Sequence, residues 1–340
     1  MGGYDWADTL TRLISRDDLT RDEAHAAMSE VMGGRATPAQ IAALMVAVTS
    51  KHATADEMTG FVDAMYDEAV SVAVEGPIVD LVGTGGDRSG TFNISTTAAL
   101  IAAGAGVKIA KHGNRAASSQ AGSADLLEAM GVRLDLTPEE TTRMIDEIGF
   151  GFLFAPLYHP ALRHAAPVRR DVGVRTVFNF LGPLCNPARP VLSAVGVSDP
   201  GMAERMIHVL ANRGAQYAFV YFGRDGLDEL STAGPSFIYR LRHGEITTAE
   251  FTPEDFGVPR APVDDVRGGT VEENVAITRS VLAGARGPHR DIALVNATPA
   301  IVVAEVAEGF VEAMELAAAS VDSGDAQDVL DRAVAFSRDA

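Results

Sequence analysis

The chain is poor in cysteine and in positive charge. Among its 340 residues there is one cysteine, Cys185, and 28 lysines and arginines stand against 46 aspartates and glutamates. A single cysteine cannot form a disulfide within the chain, so nothing calls for an oxidising compartment, and we expect a cytoplasmic protein. The formal net charge of −18 opposes non-specific binding to nucleic acid and to anionic membranes. An anionic ligand would therefore need a local cluster of positive charge.

Long apolar runs are also missing. The most apolar stretch, residues 98–105, is far shorter than the roughly 20 residues that a membrane-spanning helix needs. The first residues show neither the basic-then-apolar pattern of a secretory signal nor a myristoylation motif. With 47% hydrophobic residues, the chain can fill the core of two domains. We expect a soluble globular protein with neither a membrane nor a nucleic-acid partner.

The first 70 residues carry repeated signals for helix starts. Thr20, Thr37 and Thr54 are each followed three residues later by Glu or Gln, which is the capping-box pattern, and an apolar face follows each one. Residues 41, 44, 45 and 48 are apolar at helical spacing, and β-branched alternation is largely absent. This part of the chain is predicted to form a small helical bundle.

From residue 77 onward, short apolar runs alternate with helical patterns. This alternation is typical of a parallel sheet covered by helices. His243-Gly244 is predicted to turn a hairpin within residues 240–245, and residues 175–181 are predicted to be helical. The predicted strands are 78–82, 107–110, 152–155, 191–197, 217–222 and 291–296. We therefore predict an α/β protein with a small N-terminal helical domain and a large α/β domain whose central sheet is mainly parallel.

A glycine-rich run follows the first predicted strand and opens an apolar helix. The run Gly83-Thr-Gly-Gly-Asp87 can present backbone N–H groups to an anion. It lacks the third glycine of a Rossmann fingerprint, and Thr91 stands where a Walker loop has its lysine. Asp87 would repel a phosphate unless a bound cation or a hydroxyl-bearing partner came between them, and the loop therefore indicates a phosphate site with magnesium.

Three further groups of polar residues are open to two interpretations. Asn93, Ser95 and Thr96 can cap the following helix, or supply ligands to a phosphate or metal at its start. Lys111 ends a predicted strand, where it can be solvated or can bind a phosphate. The adjacent acids Asp228 and Glu229 are, from spacing alone, a solvated pair, because adjacent acids such as Asp17-Asp18 and Glu139-Glu140 are common in the chain.

These residues, taken in order, resemble a known family, the anthranilate phosphoribosyltransferases of tryptophan biosynthesis. The resemblance covers nearly the whole chain. It rests on the glycine loop and on Asn93-Ile-Ser-Thr96, Lys111-His-Gly-Asn-Arg115, Ser118-Ser119, Gly122-Ser-Ala-Asp125, Phe154-Ala-Pro-Leu-Tyr-His-Pro160, Pro167-Val-Arg169, Arg175-Thr-Val-Phe-Asn179, Gly182-Pro-Leu-Cys-Asn-Pro187 and Gly226-Leu-Asp-Glu-Leu230. It implies transfer of the 5-phosphoribosyl group from phosphoribosyl pyrophosphate to the amine of anthranilate.

The resemblance also implies a role for individual residues. No covalent nucleophile is implied. For anthranilate it implies Gly83, Asn114 and Arg169, with His112 and His159 nearby as pocket residues; for two Mg²⁺ ions per subunit it implies Ser95, Asp228 and Glu229. The implied donor-binding residues are Gly83, Gly86, Asp87, Thr91, Asn93, Ile94, Ser95, Thr96, Lys111, His112, Gly113, Asn114, Arg115, Ala116, Ala117, Ser118, Ser119 and Ser123.

The family's organisation implies where the domains divide. Residues 1–75, joined by a short helical stretch at about 168–186, would form the helical domain and carry a homodimer contact. Residues 76–167 and 187–340 would form the α/β domain that binds the phosphoribosyl donor.

Two other functions fit parts of the pattern. A pyrimidine nucleoside phosphorylase of the same fold would carry a lysine-serine-glycine-arginine pattern at Lys111, which this chain lacks. A non-catalytic relative that binds nucleic acid is opposed by the net charge. The chain also departs from the family at Tyr221-Phe222, where valine and histidine are common, and at Thr298-Pro299, which is expected to shift a helix start.

Overall fold

The computed structural model of the protein describes residues 4–116 and 120–340. Ala117, Ser118 and Ser119, which the resemblance assigns to the donor site, lie outside the described residues. Four helices come first and pack together: α1 (Trp6–Ile14), α2 (Arg21–Met32), α3 (Pro38–Lys51) and α4 (Ala55–Asp67). The predicted helical bundle is confirmed.

The predicted capping boxes start three of these helices. The side chains of Thr20, Thr37 and Thr54 accept hydrogen bonds from the backbone N–H groups three residues onward, and the Glu or Gln there accepts from the threonine N–H in return. Two of the otherwise unpaired donors at each helix start are thereby satisfied. These three helices begin where the sequence predicts.

A seven-stranded sheet forms the centre of the remaining chain. Its spatial order is β3-β2-β1-β4-β5-β6-β7; the first five strands are parallel, and β6 and β7 form an antiparallel hairpin at the edge. The predicted turn at His243-Gly244 is confirmed, with both residues at positive φ. The strands are β1 (Val79–Gly83), β2 (Ile109–Gly113), β3 (Phe150–Phe154), β4 (Leu192–Gly196), β5 (Tyr217–Gly223), β6 (Ser236–Arg242) and β7 (Glu245–Phe251).

Helices cover both faces of the sheet. Leu81, Ala194 and Phe219 face a core formed with α5 and α13–α15, whereas Val82, Val195 and Val220 face α11 and the helical bundle. The helices are α5 (Ile94–Gly104), α6 (Ser123–Met130), α7 (Pro138–Ile148), α8 (Ala155–Tyr158), α9 (Ala166–Val172), α10 (Phe178–Leu181), α11 (Pro200–Asn212), α12 (Val271–Leu282), α13 (Pro288–Val303), α14 (Phe310–Ser323) and α15 (Asp325–Asp339). Within these described residues, no helix is both long and apolar enough to cross a membrane.

Three sequence predictions were wrong. Residues 291–296, predicted to be a strand, lie inside α13, which is buried almost all round. A short apolar run has the same pattern in a buried strand and in a buried helix, so its periodicity could not distinguish the two. Pro299 lies within α13 and does not shift its start. The predicted helix at 175–181 is shorter, because α10 begins only at Phe178.

The segment from α9 to Asn186 packs against the helical bundle and is also tied to the sheet. Val177 N–H donates to Thr49 Oγ1 on α3 (3.0 Å). Asn186 Nδ2 donates to the carbonyl of Ala110 on β2 (2.7 Å), and the hydroxyl of Tyr66 donates to Asn186 O (2.9 Å). This segment therefore connects the bundle with the parallel part of the sheet.

Candidate active site

The glycine loop leaves β1 at the point where the strand order reverses between β1 and β4, which is where open α/β sheets bind ligands. Gly85 and Gly86 are both at positive φ, a conformation that only glycine adopts readily. The Thr84 N–H donates to Gly196 O on β4 (2.9 Å) and the Gly85 N–H donates to Asp228 Oδ2 (2.6 Å). A Cβ on Gly83 would lie 2.5 Å from that same oxygen, so the loop and the acidic pair fit together only with glycine here.

Asp228 and Glu229 follow β5, and their side chains are buried rather than solvated, contrary to the interpretation from spacing. Gly226, at positive φ, turns the chain, and the neighbouring Leu227 and Leu230 insert into the core. Burial, together with Asp87, raises the pKa of Asp228 to about 7. Burial is the main cause that raises the pKa of Glu229 well above its usual range, and the charge of the Asp228 carboxyl is the second cause.

Asn296 holds this acidic segment in place and was missed by the sequence analysis. Its Oδ1 accepts the Leu230 N–H (2.8 Å) and its Nδ2 donates to Leu230 O (2.9 Å). The sequence signal that could have revealed it is the asparagine itself, which is polar but lies in the apolar run 291–296 that was predicted to be a strand. On a buried helix, that amide has to find a backbone partner, because an unpaired buried amide is costly.

Lys111 is fully buried on β2, so the solvated interpretation was wrong. Its Nζ donates to Leu81 O (2.6 Å) and reaches Ser95 Oγ at 3.5 Å. Burial lowers the pKa of Lys111, while the carboxyl groups of Asp80, Glu229 and Asp228 act in the opposite direction. The lysine amine thus lies beside Ser95 at the start of α5 and interacts electrostatically with three buried acids.

The residues fit a magnesium ion. Glu229 Oε2 is buried and has no hydrogen-bond partner among the described residues, and a buried carboxylate without a partner requires a cation or a proton. No compact cluster of three His, Cys, Asp or Glu side chains is present in residues 4–116 and 120–340. Magnesium is commonly held by one or two carboxylates and by substrate phosphates and water, so an acidic pair beside a phosphate loop suffices.

The start of α5 does not follow the capping interpretation for Asn93, whereas the ligand interpretation stays a prediction. Asn93 occupies the N-cap position without a side-chain capping bond. Its Nδ2 donates to Ala121 O (3.1 Å), and its Oδ1 accepts from Asn274 Nδ2 (2.9 Å). Asn93 thus ties the helix start to the loop before α6, while Thr91 and Ser95 remain partly exposed at the cleft and Ile94 and Thr96 are buried.

Arg169 on α9 is a cation without a partner. Its pKa is lowered by burial, and its guanidinium has no hydrogen bond or ion pair among the described residues. A half-buried guanidinium without a partner can bind a carboxylate, because its planar array of N–H donors matches the two carboxylate oxygens. It lies on the segment that packs against the bundle, whereas the glycine loop belongs to the sheet.

His112 and His159 are buried beside each other, with ring centroids 5.3 Å apart. Nδ1 of His112 lies 3.2 Å from Gly182 O, and Nε2 of His159 lies 2.7 Å from Cys185 O. Burial lowers the pKa of His112 to about 3 and also lowers that of His159. Both rings are neutral near pH 7 and contact the backbone carbonyls of the segment 182–185, which is a structural role; their place beside the anthranilate pocket stays a prediction.

The structure does not bring every predicted donor residue to the loop. Arg115 forms ion pairs with Asp125 and Glu128 on α6 and stacks on Phe154. It borders a cavity of about 530 Å³ that is also lined by Arg133 and Arg338 and that does not include the acidic pair. Asn114 is exposed, Ala116 N–H donates to Asp125, and Ser123 Oγ donates to Asn114 O (3.3 Å). Gly113, at the end of β2, is partly exposed.

The fold and the site define a glycosyltransferase. The sequence model described as "Glycosyl transferase family, helical bundle domain" matches residues 7–69, and that described as "Glycosyl transferase family, a/b domain" matches residues 75–327. The chain is 50% identical over 324 residues to an anthranilate phosphoribosyltransferase of Symbiobacterium thermophilum, covering 95% of each chain. It belongs to the anthranilate phosphoribosyltransferase family.

Solved structures agree with this assignment. The crystal structure of anthranilate phosphoribosyltransferase from Thermus thermophilus is 42% identical, with a TM-score of 0.92 over 97% of this chain and 99% of that one. The Saccharomyces cerevisiae enzyme in complex with PRPP and Mg is 25% identical, with a TM-score of 0.90 over 98% of both chains.

The buried His112 predicts a pH dependence of stability. Its folded-state pKa of about 3 lies below the ordinary value of 6.5, so the unfolded chain takes up a proton first as the pH falls. The free energy of unfolding should then fall by up to about 1.4 kcal/mol per pH unit below pH 6.5. A His112→Asn variant should lack this component, so the wild type loses about 2 kcal/mol relative to the variant between roughly pH 6.5 and 4.5.

Urea unfolding of both proteins at stepped pH measures this difference. Because His159 contacts His112 and its charge acts on the His112 pKa, the same comparison in a His159→Asn background separates the two titrations. Parallel stability curves for the two proteins would contradict a neutral, buried His112.

Proposed function

We propose that this protein transfers the 5-phosphoribosyl group from phosphoribosyl pyrophosphate to the amine of anthranilate, giving N-(5-phosphoribosyl)anthranilate and pyrophosphate in tryptophan biosynthesis. The observation that carries the proposal is the buried acidic pair, which lies directly against a glycine loop at the carboxyl edge of the sheet. The names of the relatives and the donor and metal bound to the Saccharomyces cerevisiae enzyme support the same reaction.

In the proposed reaction, the anthranilate nitrogen bonds to C1 of the ribose as the bond from C1 to the pyrophosphate oxygen breaks, and the nitrogen loses a proton. Mg²⁺ held by the acidic pair would neutralise charge on the departing pyrophosphate. The amides of Gly86 and Asp87 would donate to the diphosphate, and the Lys111 amine would lie near it. No side chain needs to form a covalent bond, because positioning and charge stabilisation carry the chemistry.

The residues implied by the family are proposed for the same roles here. The donor would contact the loop from Gly83 to Asp87, the start of α5 from Thr91 to Thr96, and residues 111–119 with Ser123. Asp228, Glu229 and Ser95 would hold two Mg²⁺ ions. Arg169, whose guanidinium lacks a described partner, would bind the anthranilate carboxylate, with Gly83, Asn114, His112 and His159 around the ring.

The organisation and the setting are part of the proposal. Residues 1–75 and about 168–186 would act as one helical domain, and residues 76–167 and 187–340 as the donor-binding domain. Ile14 on α1 and Val46 on α3 are 75% and 45% exposed, and these apolar side chains favour a homodimer that is formed through the helical domain. A cytoplasmic location suits the single cysteine, which is buried.

A fluorescence assay tests the reaction. Purified protein, anthranilate, phosphoribosyl pyrophosphate and Mg²⁺ should together remove anthranilate fluorescence and release pyrophosphate in equal amounts. Leaving out the donor or adding a chelator should stop both signals. Stable anthranilate fluorescence in the complete mixture would overturn the proposed function.

Arg169→Ala should raise the KM for anthranilate by about 10- to 100-fold, because a charge-assisted pair is lost. The KM for the donor should change less than about threefold. Steady-state kinetics with each substrate varied in turn measures both. The matched control is Arg163→Ala, which removes an exposed arginine just before α9. Equal effects on the two KM values would remove the proposed role of Arg169.

Glu229→Gln should weaken metal binding while preserving the shape of the side chain. Titration with Mn²⁺ in the presence of the donor should give two sites in the wild type and one in the variant, with the affinity of the remaining site little changed. Glu245→Gln, on exposed strand β7, is the matched control. Unchanged stoichiometry in Glu229→Gln would exclude Glu229 as a ligand.

A further inference from the structure

Arg175 reaches the glycine loop from the segment between α9 and α10. Its Nη2 donates to Gly85 O (2.9 Å) and approaches Thr84 Oγ1 (3.4 Å), and its Nη1 approaches Gly86 O (3.5 Å). One guanidinium therefore contacts three consecutive residues of the loop. These are contacts from a part of the chain that packs with the helical bundle to a loop that belongs to the sheet.

The Arg175 guanidinium stacks on an aromatic ring. It lies over Phe180 with its central carbon 4.4 Å from the ring centroid, and Phe180 is buried in the core beneath the bundle. Stacking of this kind fixes the plane of the guanidinium and so the directions of its N–H groups. The side chain is exposed, but its guanidinium contacts both the Phe180 ring and the Gly85 carbonyl, which orient it.

The contacts set the direction of the loop amides. In a trans peptide the C=O and the following N–H point in opposite directions. Holding the carbonyls of Gly85 and Gly86 on the side of Arg175 therefore turns the N–H groups of Gly86 and Asp87 to the other side. Ser198 Oγ adds a second donor to Gly85 O (3.1 Å). Successive N–H groups arranged in this way form an anion-binding concavity.

Asp228, one of the acidic pair, binds the same loop one peptide earlier. The Gly85 N–H donates to Asp228 Oδ2, while Arg175 holds the next peptide by its carbonyl. Asp228, Asp199 and Asp87 all interact favourably with the Arg175 charge. The loop is thus fixed between a guanidinium and a carboxylate, and each of them comes from a different segment of the chain.

We infer that Arg175 is a positioning residue for the donor: it holds the Gly85 and Gly86 carbonyls so that the next two amides face the diphosphate. This inference rests on the proposed function for the identity of the donor. Arg169 lies on α9, in the same segment, so one short stretch of chain would place the anthranilate carboxylate through Arg169 and orient the donor loop through Arg175.

Variants of Arg175 test the inference. Arg175→Ala should raise the KM for phosphoribosyl pyrophosphate at least about tenfold and leave the KM for anthranilate within about threefold. Arg175→Lys should recover only part of the loss, because an ammonium group cannot hold two carbonyls in a fixed plane. Added guanidinium ion at millimolar concentration should partly restore donor binding to Arg175→Ala, whereas sodium ion at the same ionic strength should not.

The matched control is Arg143→Ala. Arg143 is also an exposed arginine stacked on a phenylalanine, Phe336, and it pairs with Glu147 on α7, away from the loop. Its removal should leave both KM values unchanged. Thermal unfolding of every variant should be recorded, because a purely structural role of Arg175 would lower the Tm and change both KM values together.

Calorimetric titration with phosphoribosyl pyrophosphate and Mg²⁺ keeps the inference separate from the reaction. If the wild type binds the donor but forms no product with anthranilate, the proposed function fails while the effect of Arg175 on donor affinity is still measured. Unchanged donor affinity in Arg175→Ala overturns the inference. So does a lowered Tm together with a rise of both KM values that guanidinium does not reverse.

Discussion

The burial of three acids and one lysine at the carboxyl edge of the sheet is the constraint on which the site depends. Asp80, Asp228 and Glu229 are removed from water around Lys111, and burial opposes the charged form of each of them. Charges buried in this way are costly unless they are paired with opposite charge. A divalent cation that accompanies a phosphate would supply that charge beside the acids.

The glycines allow this arrangement, and polar side chains from other elements maintain it. A side chain at Gly83 would meet the Asp228 carboxylate, so the loop can approach the acids only without a Cβ. Asn296 on α13 holds the acidic segment through Leu230, and Asn93 connects the start of α5 with Asn274 on α12. The site is therefore assembled from the ends of several strands and from helices distant in sequence, which is usual for enzymes on parallel sheets.

The segment between the bundle and the sheet links the two halves of the cleft. The imidazoles of His112 and His159 lie against the carbonyls of Gly182 and Cys185, and Asn186 donates to β2. The neutral state of both histidines follows from their burial, so these contacts do not change near pH 7. The segment that carries Arg169 is therefore joined by hydrogen bonds to the sheet that carries the glycine loop.

The sequence determined the helical bundle, the alternation of strands and helices, the hairpin at His243 and the glycine loop, because these follow from local caps, turns and periodicity. It also indicated the family through motifs that lie far apart in the chain. It did not determine that Lys111, Asp228 and Glu229 are buried, that residues 291–296 are helical, or that Arg115 pairs with α6. Those features depend on which surfaces cover each residue, and a residue's burial, its pKa and its partners are set by elements that are distant in sequence and meet only in the folded chain.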